Sequence, residues 1–126
     1  MRFLGKSVKD FGNGRKRHEY SFAVDDNSYR KIGEALARVA KLGDFKEGNL
    51  RGYSDMDIHE NELWLKSADD IEKNLDFIEK IEPDNGYVEI DIDGDWVQIE
   101  YHGDSMKCSG MNKDKVRMVA TELKEF

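Results

Sequence analysis

Only one cysteine, Cys108, stands among 126 residues. It can close no internal disulfide, so the fold cannot rest on covalent staples. The lone proline, Pro83, marks a single hard stop. Long apolar runs are missing, and none approaches the roughly 18 residues that a membrane helix needs. The opening MRFLGKSVKD has no apolar core of signal-peptide length. Catalytic signatures are missing too: no P-loop, no G-x-G-x-x-G, no zinc spacing, no H-E-x-x-H and no G-x-S-x-G elbow. These absences predict a cytoplasmic single domain spanning residues 1–126, with no cofactor and no membrane association. Such a chain buries about two-thirds of its unfolded surface, enough for one core.

Charge is abundant and uneven. Charged residues make up 37% of the chain, and the net charge is −7. Residues 1–46 hold 11 Lys/Arg against 6 Asp/Glu, while residues 55–104 hold 17 acids against Lys66, Lys73 and Lys80. Acids gathered on one face would attract a cationic partner and speed its encounter. The overall balance repels phosphates and so argues against nucleic acid as the main ligand.

The clearest local pattern lies late in the chain. Tyr87 to Ile92 alternates strictly, as does Trp96 to Tyr101, with Asp93-Gly94 between them. Asp-Gly suits a two-residue type I′ turn. That turn predicts the pairs Ile90 with Val97, Val88 with Ile99, Asp91 with Trp96 and Glu89 with Gln98. The apolar members then share one face, which a one-residue slip would destroy. A similar arrangement 34 residues earlier predicts a second hairpin. Its turn is at Glu60-Asn61, pairing Ile58 with Leu63, Met56 with Leu65 and Asp57 with Trp64. A first hairpin joins residues 2–11 to 18–24 through Gly12-Asn13-Gly14.

Each hairpin leads into a helix. Residues 27–42 place Tyr29, Ile32, Leu36, Val39 and Ala40 at helical spacing, with Gly43 as the stop. Residues 68–82 carry Ile71, Leu75 and Ile78, with Ser67 and Asp70 resembling a capping box. The last helix starts near Asn112 and turns Val116, Val119, Ala120 and Leu123 inward, after a short strand around Cys108. Single-stripe helices and single-faced strands predict an α+β, two-layer domain. Its antiparallel sheet of hairpins would have three helices on one face, in ββα-type units. The expected core holds Val88, Ile90, Val97, Ile99, Ile58, Leu63, Leu36, Ile78 and Val119.

The sheet's open face is then the candidate partner-binding site, made of Asp55, Asp57, Glu62, Trp64, Tyr87, Glu89, Asp91, Trp96 and Glu100. Aromatics carry much of the energy at protein interfaces, and the acids would select a basic surface. Other constellations carry less. Asp55, Asp57 and His59 share a strand face, yet no second His stands at ligand spacing, and they read as surface residues. Asp91-Ile92-Asp93-Gly94-Asp95 departs from a calcium loop in the position of its Gly and in its strand flanks. Ser105 and Cys108 lack a nucleophile's setting, and Cys108 reads as a small buried hydrophobe.

The composite expectation is a non-catalytic acidic inhibitor that blocks a basic protein partner, such as a nuclease or other nucleic-acid-binding protein. Toxin-immunity proteins and phage anti-defence proteins that mimic nucleic acid work in this way. Two alternatives remain open. One is a small enzyme or ligand-binding domain with a pocket near His102. The other is a nucleic-acid-binding module using the basic hairpin 12–17, whose tip holds Arg15, Lys16 and Arg17.

Overall fold

A computed structural model describes residues 2–24, 28–42, 45–54, 57–75, 85–102 and 104–124, with backbone placement alone for 28–30, 50–54, 57–63, 85–86 and 101–102. Its strands are β1 (Arg2–Asp10), β2 (Lys16–Ala23), β3 (Phe45–Ser54), β4 (Asp57–Leu65), β5 (Asn85–Ile92), β6 (Asp95–His102) and β7 (Ser105–Gly110). The helices are α1 (Ser28–Leu42), α2 (Ala68–Lys73) and α3 (Lys113–Lys124). The fold is α+β, with one seven-stranded sheet in the order β1-β2-β7-β6-β5-β3-β4. Every neighbouring pair in it is antiparallel. Among the described residues, no helix is long and apolar enough to cross a membrane.

The β5–β6 hairpin forms as its alternation predicts. Ile90 pairs with Val97, Val88 with Ile99, Glu89 with Gln98 and Asp91 with Trp96. Asp93 and Gly94 take φ of 55° and 89°, the left-handed conformation of a type I′ turn. The Asp91 carboxylate accepts the Gly94 N–H at 2.9 Å, so the strand end itself fastens the turn. β7 continues this meander at the centre of the sheet. The β1–β2 hairpin joins it on one side and the β3–β4 hairpin on the other.

The second hairpin differs from its expected form. Glu60 and Asn61 lie within the continuous strand β4, not at a turn. The partner of β4 is β3, a segment whose polar and glycine-rich sequence carries no alternation. Leu63 pairs with Leu50, Trp64 with Asn49 and Leu65 with Gly48, so the pairings of Ile58 with Leu63 and Asp57 with Trp64 do not form. The physical reason is local. A two-residue turn needs left-handed backbone at both positions, and Glu60 accepts that poorly. Pairing β3 between β4 and β5 also satisfies two rows of backbone groups at once. Met56 lies outside the described residues.

One buried cluster joins the three described helices to the sheet. Ile32, Leu36 and Val39 of α1, Ile71 of α2, and Val116, Val119 and Leu123 of α3 meet Val88, Ile90, Ile92, Val97, Ile99, Cys108 and Phe22. Helix α1 packs against both α2 and α3, and α3 lies against β7, β2 and β6. Ser67 caps α2, accepting the Asp70 N–H at 3.2 Å, and Asp70 in turn accepts the Lys66 N–H at 2.9 Å. The expected continuation of this helix, with Ile78 and Pro83, lies outside the described residues.

Candidate functional site

Alternation along each strand fixes what turns away from the core. Successive cross-strand partners place Ser7, Glu19, Ser109, Gln98, Glu89, Asn49 and Trp64 in one row across all seven strands. A second row sets Trp96 beside Asp91 and Asp91 beside Glu47. A third runs from Ser21 through Lys107, Glu100, Tyr87 and Arg51 to Glu62. The register thus brings six of the expected site residues, Trp64, Tyr87, Glu89, Asp91, Trp96 and Glu100, onto one face, and Glu62 joins them by its strand position. Asp55 lies outside the described residues. Asp57 is the first residue of β4, opposite Ser54 and beyond an irregularity in the register, so alternation does not carry it to the side of Trp64.

Both tryptophans are open to solvent, Trp64 at 57% and Trp96 at 40%. Three strand spacings separate them, about 14 Å across the sheet. Between them stand Glu47, Glu89 and Asp91. The Glu89 carboxylate is the hub of a polar chain: it accepts the Tyr87 hydroxyl at 2.5 Å and the Gln98 amide at 2.9 Å. Gln98 accepts in turn from the Arg17 guanidinium, which also donates to Ser109 Oγ at 2.7 Å. A hydrogen-bonded row of this kind on a rigid sheet holds its charges in place without further ordering.

The face is acidic over only part of its width. On β1, β2 and β7 it carries Lys9, Arg17 and Lys107. These surround Glu19, whose carboxylate lies 3.4 Å from Lys9 Nζ, 3.7 Å from Lys107 Nζ and 4.0 Å from Arg17 Nε. Glu19 is buried beneath these cations, as Ser109 and Asn49 are buried elsewhere in the same row. The acids and tryptophans occupy the other part, β6-β5-β3-β4. Residues 17–19 and 107–109 are far apart in the chain, and only the pairing of β2 with β7 makes them neighbours, so neither local pattern marked this basic patch.

Other candidate chemistry is sparse. Cys108 is fully buried and burial pushes its thiol well above the ordinary range, which suits a packing residue rather than a nucleophile. Its Sγ faces the Val116 carbonyl at 4.0 Å. Among the described residues, no three His, Cys, Asp or Glu side chains stand together as a metal site. His102 ends β6 between Asn85 and Ser105. A groove of about 840 Å³ is lined by residues of β1, β2 and α3. No protein-family model, curated protein or solved structure matches the chain.

Proposed function

We propose that the protein is a non-catalytic inhibitor that docks the acidic part of its sheet face on a basic protein surface. The partner is a nuclease or another nucleic-acid-binding protein, blocked in the manner of a toxin-immunity or phage anti-defence protein. In this reading the chain is cytoplasmic, the helices keep to one side of the sheet, and the opposite face is free to dock. One observation carries the reading: Trp64 and Trp96 are exposed on either side of Glu47, Glu89 and Asp91. Large aromatics left in water on a rigid surface are costly to solubility and characteristic of binding anchors. The carboxylates around them select a cationic surface and disfavour an acidic one.

The test is affinity capture from the native host with three baits: the parent protein, Trp64→Ala and Trp96→Ala. The expected result is a basic protein held by the parent, eluted by salt and lost from both variants. One equivalent of the parent should abolish that protein's nucleic-acid binding or cleavage. Capture that is indifferent to both tryptophans, or a captured protein whose activity is unchanged at stoichiometric addition, would overturn the reading.

A further inference from the structure

The second charged feature of the molecule lies on the core side of the sheet, at its β1 edge. There Phe3, Tyr20 and Phe22 form an aromatic floor, and Lys113, Arg117 and Lys124 of α3 form one wall of the groove of about 840 Å³. A neighbouring cavity of about 450 Å³ shares Lys6, Tyr20 and Lys113 and adds Lys16 and His18. The two adjoin at these three shared residues and are taken together as one track. None of the described residues lining either cavity is an acid. That is unexpected in a chain of net charge −7, and it means that the overall balance does not describe the local field. Phe3 and Tyr20 are only partly buried, and Lys124 Nζ already stands 4.8 Å from the Phe3 ring centroid. Lys113, Arg117 and Lys124 repeat at helical spacing along about 16 Å of α3. That length matches about five nucleotides at stacked spacing.

We propose that this groove binds single-stranded nucleic acid, with phosphates on the lysines and Arg117 and bases against Tyr20 and Phe3. A cationic groove floored by aromatics is how single strands are held without sequence readout, because every base offers a stacking face. An acidic peptide would use the cations and leave the rings idle. The inference is independent of the inhibitor reading, since none of the track's cations and rings belongs to the group of Trp64, Trp96, Glu47, Glu89 and Asp91 on the other face.

The probe is a fluorescein-labelled oligothymidylate of about ten nucleotides, followed by anisotropy over a salt series. The expected Kd is on the order of 10⁻⁵ M near physiological salt. Lys113→Ala with Arg117→Ala should weaken binding at least tenfold. It should also make the salt dependence shallower by about 0.7 for each phosphate that the variant no longer neutralises. Lys73→Ala on α2, away from the groove, should change affinity less than twofold. Tyr20→Leu should weaken the oligothymidylate severalfold and leave an abasic oligomer of the same length unaffected. Melting curves on each variant separate loss of binding from loss of fold. The proposal is overturned by no binding at low salt, by groove variants that bind like the parent, or by equal affinity for a polyglutamate of matched charge or for ATP. Capture of the inhibitor's partner by the groove variants should match the parent's, so the two readings fail separately.

Discussion

Burial divides the side chains into those that local alternation places and those that long-range pairing places. Ile90 and Leu36 belong to the first group, and both are essentially without exposed surface. Truncating either to Ala should lower unfolding free energy by about 2–5 kcal/mol in urea titration, the range for buried aliphatics. A change below about 0.5 kcal/mol would place them at the surface. Gly110 belongs to the second group. A Cβ there would stand 2.9 Å from the Trp96 carbonyl oxygen and 2.9 Å from Val116 Cγ2, so the missing side chain is what lets α3 close on β6 and β7. Gly110→Ala should cost about 1–3 kcal/mol through overpacking, measured the same way. Glu19, Asn49 and Ser109 are likewise buried by neighbours from distant parts of the chain. Nothing in their own segments distinguishes them from solvated strand residues.

Elements were legible where a turn or cap announced itself. The Asp93-Gly94 turn fixed the β5–β6 register, and the stripe of Val116, Val119, Ala120 and Leu123 fixed the buried face of α3. β3 escaped because its core-side positions include Gly48, whose close approach to the Glu89 carbonyl and Ile90 leaves little room for a side chain. A strand that packs by backbone contact shows no apolar alternation. Without β3, the only partner that β4 residues could be given was their own continuation, and a false hairpin resulted. The junction between β6 and α3 offers a test at this scale. Asn112 accepts the N–H groups of Asp114 and Lys115 at 3.1 Å each and donates to Asp95 at 2.8 Å. Asn112→Ala should therefore cost about 1 kcal/mol from the lost cap, read as a shift in denaturation midpoint. At the same junction, the hydrogen bond to Asp93 raises the Lys115 ammonium above the ordinary lysine value of 10.5. The sign follows from linkage: this stabilisation is complete below that value and is lost as pH rises through the raised one. Asp93→Asn keeps a residue suited to the turn and removes the pair. Melting temperature followed from pH 9 to 12 should fall less steeply in Asp93→Asn than in the parent.

One face of the sheet carries opposite charge on its two parts, and the sequence showed this only as a basic first third and an acidic remainder. The sheet order explains the difference: β2 beside β7 draws Lys107 next to the basic hairpin, while β3 beside β5 adds Glu47 to the acids. Association through the tryptophan face should accordingly have two separable parts. Long-range attraction acts on the encounter and fades with salt, whereas desolvated aromatics act on the lifetime of the complex. Glu47→Lys with Glu62→Lys is the appropriate charge reversal. Glu89 and Asp91 are unsuitable because their carboxylates hold Tyr87, Gln98 and the Gly94 N–H. Against the partner recovered by capture, the double reversal should slow association about tenfold or more at low salt and leave dissociation nearly unchanged. Trp64→Ala and Trp96→Ala should do the opposite, each weakening the complex by about 2 kcal/mol or more through faster dissociation. Both tryptophan variants should melt close to the parent, since more than a third of each side chain's surface is already in water. A double reversal that associates at the parental rate at low salt would remove the electrostatic steering. Tryptophan variants that unfold instead of dissociating faster would assign those rings to the sheet's own packing and leave the face without an anchor.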